Sequence, residues 1–201
     1  MSIMRYLLVA LVLVLSGCAS TNQMVKASNQ QLTNAAADQS QVVFMRSSFV
    51  GQLISASVYD VTDGEPEFVG IIENDTKVLT AVKPGKRVFM VVSEAADFME
   101  ADLTAGKTYY AVITPRMGMW KARFSLWPVR VGAPGEFTLN DKRIQSMITD
   151  TELMEGSEKA QLWFKGNLQS IKAKQQEYWP SWQQKNGGDK LERTLLHSDG
   201  V

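Results

Sequence analysis

The sequence predicts a mainly β fold, an antiparallel two-sheet β-sandwich followed by two C-terminal α-helices. Two observations carry this. Between Gln41 and Arg130, short β-branched and aromatic runs recur with turn dipeptides between them, as in a sandwich rather than a single open sheet. From Leu139 the apolar spacing changes from two to three or four residues, the period of a helix.

The strand runs are Val42–Arg46, Ser55–Val61, Glu67–Ile72, Val78–Val82, Arg87–Ser93, Phe98–Leu103, Thr108–Thr114 and Trp120–Arg130. Asp63-Gly64 suits a tight turn, and Pro66 can begin a strand but not centre one. Asn74-Asp75, Pro84-Gly85 and Ala105-Gly106 supply further reversals. The sandwich is expected over residues 41–137. Asn140 is placed to cap a helix through roughly Leu153, with Ile144, Met147, Ile148 and Thr151 on one face. Gly156 stops that helix. Ser157 then caps a longer one to about Trp179, ended by Pro180, with the stripe Ala160, Phe164, Leu168 and Ile171. The helices occupy 138–185, and the polar stretch 186–201 reads as a loose tail.

Residues 1–17 read as a signal peptide. Arg5 is their only charge, and Leu7–Leu15 forms a short apolar core. As a helix that core spans about 14 Å, against roughly 30 Å of hydrocarbon, so it cannot cross a bilayer unaided. Leu15-Ser16-Gly17-Cys18 follows and holds the only cysteine. This tetrapeptide resembles the lipobox of bacterial lipoproteins. The resemblance implies cleavage before Cys18 and a diacylglyceryl group on its sulfur, with acyl chains such as palmitate. Each buried methylene contributes about 0.8 kcal/mol, so several chains anchor durably where one would not. By the same resemblance, Ala19 in place of Asp implies sorting to the outer membrane, on its periplasmic face. Residues 18–40 are rich in Ala, Ser, Thr, Asn and Gln and read as the lipidated cysteine with a flexible tether, spanning roughly 26 Å.

Composition narrows the chemistry. The chain carries 21 basic and 21 acidic residues, without the basic excess of a nucleic-acid binder. With its one thiol given to lipid, the mature chain has none for a disulfide. The single histidine, His197, leaves no His and Cys set for zinc and no ordinary Ser-His-Asp or Cys-His system. No catalytic residue, metal or cofactor is expected.

Three further runs carry a second resemblance: Lys83-Pro84-Gly85-Lys86, Ala105-Gly106-Lys107-Thr108-Tyr109-Tyr110 and Phe124-Ser125-Leu126-Trp127-Pro128-Val129. With Val43–Gly51 they look like those of bacterial lipoproteins bearing a domain of unknown function, similar to prealbumin-like and PEGA-like β-sandwiches. That resemblance covers about residues 41–130. It implies a fold and an envelope location, and brings no catalytic residues.

Several clusters invite function. Asp60, Asp63, Glu65 and Glu67 suggest calcium, but surround a predicted turn without alternating ligand spacing. Glu94, Asp97, Glu100 and Asp102 offer acid–base pairs for sugar hydrolysis, and equally a solvated strand face. Between Asp102 and Glu136 no acid occurs. There, strand alternation groups Lys121, Arg123, Ser125 and Trp127 on one face. Lys121, Arg123 and Trp127 are the candidate anion or partner site, unless the C-terminal helices cover Trp127. Trp163, Phe164, Tyr178, Trp179 and Trp182 suit either helix docking or glycan and membrane contact. The expectation is a lipid-anchored, non-enzymatic module that binds an envelope protein. The alternatives are a binder of an anionic envelope component (lipid headgroup, lipopolysaccharide or glycan) and, as a third class, a hydrolase.

Overall fold

The computed structural model describes residues 23–116 and 123–201. In chain order the strands are β1 (Met24–Lys26), β2 (Ser40–Arg46), β3 (Ala56–Asp60), β4 (Glu67–Ile72), β5 (Thr76–Val82), β6 (Gly85–Val92), β7 (Ala96–Leu103), β8 (Thr108–Arg116), β9 (Arg123–Arg130), β10 (Phe137–Thr138), β11 (Glu152–Gly156) and β12 (Thr194–Leu195). The helices are α1 (Lys142–Asp150), α2 (Glu158–Gln183) and α3 (Gly187–Glu192), with a 3-10 turn at His197–Asp199. Each of the eight strand runs read from the sequence corresponds to a strand, the last described from Arg123.

The strands form a seven-stranded sheet, ordered β1-β11-β5-β2-β8-β9-β10, and a five-stranded sheet, ordered β12-β7-β6-β3-β4. One apolar core lies between them. Val42, Phe44, Ala111 and Leu126 of the larger sheet meet Val58, Phe89, Val91 and Met99 of the smaller, and the Phe44 and Phe89 rings meet edge to face at 5.2 Å. The outer faces are covered as well. Ile144 and Met147 of α1 pack on Val43, Met45, Val112 and Val129 of the larger sheet. Helix α2 lies on the smaller sheet, bringing Ile171 and Trp182 against Tyr59, Met90 and Phe98.

Both sheets are mixed, which corrects the antiparallel expectation. β2 runs parallel to β8, β11 to β5, β10 to β9 and β12 to β7. Alternation reports which face a residue occupies, but not the direction of the neighbouring strand. Between β2 and β8 the chain crosses to the second sheet and back twice, returning first as the antiparallel β5 and then as the parallel β8. The other three pairs each add a short C-terminal strand to an edge.

The sequence reading of the helical region also needs correcting. The first helix ends at Asp150, and Glu152–Gly156 is strand β11. Buried Lys77 sets that end: its Nζ donates to the carbonyl oxygens of Ile148 and Thr151, at 2.7 and 2.6 Å. Thr151 is extended, and the Glu152 amide then donates to the Asp75 carbonyl. Helix α2 runs through Pro180 to Gln183. Trp179 and Trp182 both pack on Phe98, at ring distances of 5.0 and 6.1 Å, holding the turn that proline would otherwise break.

Two segments read as free are docked. Met24–Lys26 pairs with β11, the Gln30 amide donates to the Leu153 carbonyl, and Leu32 packs beside α1. At the other end Arg193, Leu195 and Asp199 are buried, and the Val201 and Thr108 backbones exchange two hydrogen bonds. Arg130 donates to Asp199 at 2.7 Å and to the Thr194 and Leu191 carbonyls at 2.6 Å. The terminal residues are therefore a strap locked by buried charges.

Candidate functional site

The parallel pairing of β2 with β8 makes both strands finish at the same end of the larger sheet. Met45 is level with Val112, so the chain beyond Arg46 emerges beside Thr114, Pro115 and Arg116. β9 begins there too, with Arg123 directly opposite Arg116.

Arg46 organises this end. Its side chain lies fully buried over the Phe124 ring, 4.4 Å from the centroid, and donates to the carbonyl oxygens of Gly51 and Ile54. Burial lowers the guanidinium pKa from its ordinary value, while Asp75 and Glu73 oppose the shift. The connection after β2 is fixed elsewhere too. The Ser48 amide donates to Asn74 Oδ1, the Ser47 hydroxyl to Asp75 and the Ile54 amide to the Gly51 carbonyl. Gly51 takes a φ of 71°, which a side chain would strain. A cleft of about 780 Å³ opens between this loop and α1. Its apolar wall is Val50, Val112, Pro115, Phe137, Ile144 and Met147. Ser47, Thr114, Ser146, Lys142 and Asp150 stand at its polar edge. That size and mixture match ligand and partner clefts in general.

The residues singled out from the sequence fare unequally. Cys18 and Lys121 lie outside the described residues. Arg123 is exposed, and it forms no ion pair with a described residue. Trp127 shares its face but is not open. The Arg193 guanidinium lies 4.2 Å from its ring centroid, Phe137 meets it edge to face, and its indole N–H donates to Thr114 Oγ1 at 3.0 Å. Arg193 in turn donates to Asp97 and to the Leu126 carbonyl, while the Leu126 amide donates to Asp97. This buried pair satisfies the edge of β9 as a neighbouring strand would. Arg116 reaches the same Asp97 at 3.7 Å.

Four of the other carboxylates are engaged by separate partners. Glu100 accepts from the Trp182 indole, and Asp102 pairs with Lys86 at 3.5 Å. Asp60 is buried against Thr62 and Arg87, and Glu65 pairs with Lys172. Among the described residues no three His, Cys, Asp or Glu side chains are grouped to hold a metal ion, and no helix is long and apolar enough to cross a membrane. The aromatic run dock α2: besides Trp179 and Trp182, Phe164 stacks on Phe68 at 5.2 Å.

Sequence reasoning missed Arg46 and the loop it holds. The available signal was Phe49-Val50-Gly51-Gln52-Leu53-Ile54, an apolar run between two strands with neither strand nor helix period.

No family model matches the chain, and no curated protein matches it.

Proposed function

We propose that this chain is a lipid-anchored lipoprotein of the cell envelope, tethered through Cys18 to the periplasmic face of the outer membrane. It acts there as a non-enzymatic interaction or scaffold module on a prealbumin-like sandwich. The observation that carries this reading is the cleft between α1 and the loop after β2. It has an apolar wall about the size of a few side chains and is built on helix and strand rather than slack chain. A segment of an envelope protein fits it.

A photocrosslinker at Ser146, on the cleft edge, tests this in intact cells. The expected result is one defined protein adduct, lost when Thr114→Trp fills the cleft and not formed from a crosslinker at Lys159. Identical adducts from both positions, or none, contradict it.

The second reading, binding of an anionic envelope component, draws on Arg123. It stands exposed opposite Arg116 at the end where the loop projects. Its exposed guanidinium suits phosphate oxygens. Under that reading, Arg123→Glu with Lys121→Glu abolishes binding to lipopolysaccharide, and unchanged binding contradicts it.

A further inference from the structure

Among the described residues, the loop after β2 is where large apolar side chains stand out as a group. Phe49 is 92% exposed and Leu53 101%, with Val50 and Ile54 about half exposed beside them. Leu162 and Leu191, by contrast, stand singly, as surface leucines commonly do. The exposure is built in, because Arg46 holds the carbonyls of Gly51 and Ile54 from inside while Ser47 and Ser48 tie the loop's base to Asn74 and Asp75. Side chains bared to this degree protrude instead of lining a concavity. A stable protein interface covers about 800 Å² per partner, more than such a tip offers, whereas a fluid apolar phase closes around it.

Charge and chain length favour the same occupant. Arg116 and Arg123 flank this end; Arg116 pairs with Asp97, while Arg123 is exposed and forms no ion pair with a described residue. Lys26 is level with Met154, Val78 and Phe44 across the larger sheet. Gln23 therefore starts roughly 17 Å along the strands from the loop's base. Five residues from Cys18 to Gln23 reach about 17 Å when extended. A link that short keeps the domain within about that distance of the surface to which Cys18 is attached. Since Gln23 lies at the far end of β1, three strands from β2, the loop meets that surface with the sheet lying along it.

We propose that the loop of residues 47–54 seats in the bilayer surface, with Phe49 and Leu53 entering the boundary between headgroups and acyl chains and Arg123 meeting anionic headgroups. The placement rests on the lipid-anchor reading.

The test is L53C in the full chain, labelled with an environment-sensitive fluorophore and bound to vesicles of phosphatidylethanolamine and phosphatidylglycerol. K86C, whose parent side chain is 88% exposed, is the control. The expected result is a blue-shifted emission at position 53, quenched several-fold by nitroxides on the acyl chains, with position 86 unchanged. Solvent-like emission at both positions overturns the proposal. Labelling also separates the two readings, since an acylated Cys18 takes no label and a free one does. Should it be free, L53C in a Cys18→Ser chain is added to the same vesicles. A blue shift there keeps the loop proposal without the anchor, and its absence overturns it.

Discussion

Arg46 shows how one side chain decides the shape of a surface. It sits at the end of a core strand, covers Phe124 and replaces water as donor to two loop carbonyls. Arg46→Met keeps much of the stem's packing but leaves both carbonyls without their donor. A hydrogen bond to a charged group contributes about 1.5–3 kcal/mol, so the variant should lose about 3 kcal/mol of unfolding free energy in a urea titration. Amide exchange should rise first at Gln52 to Ile54. Nothing in the local pattern signals this role, since an arginine closing a strand reads as a surface residue. The same holds for Lys77 and Arg193. Each is buried because its partners arrive from far along the chain, Ile148 and Thr151 for Lys77 and Asp97 for Arg193. Cationic residues alone carry no record of such partners.

At the scale of elements, local chemistry was legible and pairing was not. The turn dipeptides fall where the chain reverses: Asp75 adopts a positive φ of 56° between β4 and β5, and Gly64 one of 88° between β3 and β4. Ser157 caps α2 as its position suggested, accepting from the Ala160 amide at 3.1 Å. It also donates to the Gln23 carbonyl, joining the cap to the first described residue. Ser157→Ala should therefore cost about 1 kcal/mol in thermal or urea unfolding, the usual value of a lost N-cap, and should loosen β1. Fast amide exchange at Val25 and Lys26 in that variant would show the second effect. Glu152–Gly156 illustrates the opposite case. Helical spacing extends into Leu153, yet the free edge of β5 takes the segment as a strand, so a tertiary partner overrides local preference.

For the whole molecule, the informative feature is how its two ends are tied down. β1 joins one edge of the larger sheet, while the C-terminal strap adds β12 to the smaller sheet and buries Asp199 against Arg130. Composition made both segments look loose, because short polar stretches bury little apolar surface of their own. The strap is instead held by charge: Asp199 accepts from Arg130 and from the amides of Val131 and Leu196. Asp199→Asn leaves the Arg130 guanidinium buried without a counter-charge. Breaking such a pair costs about 3–5 kcal/mol, which calorimetry should register as a clear fall in Tm. A variant as stable as the parent would mean the strap is not integral to the fold. Arg123, singled out from the sequence, is exposed but does not line the cleft. The cleft and the apolar loop were not visible beforehand, because both depend on β2 and β8 ending together.

The proposed placement at the membrane depends on Cys18, and so the anchor is the claim on which the rest depends. The intact mass of the protein extracted from membranes tests it most directly. The account predicts a chain that begins at Cys18 and carries the added mass of a diacylglyceryl group. A chain that retains residues 1–17, or one whose Cys18 is an unmodified thiol, would contradict it.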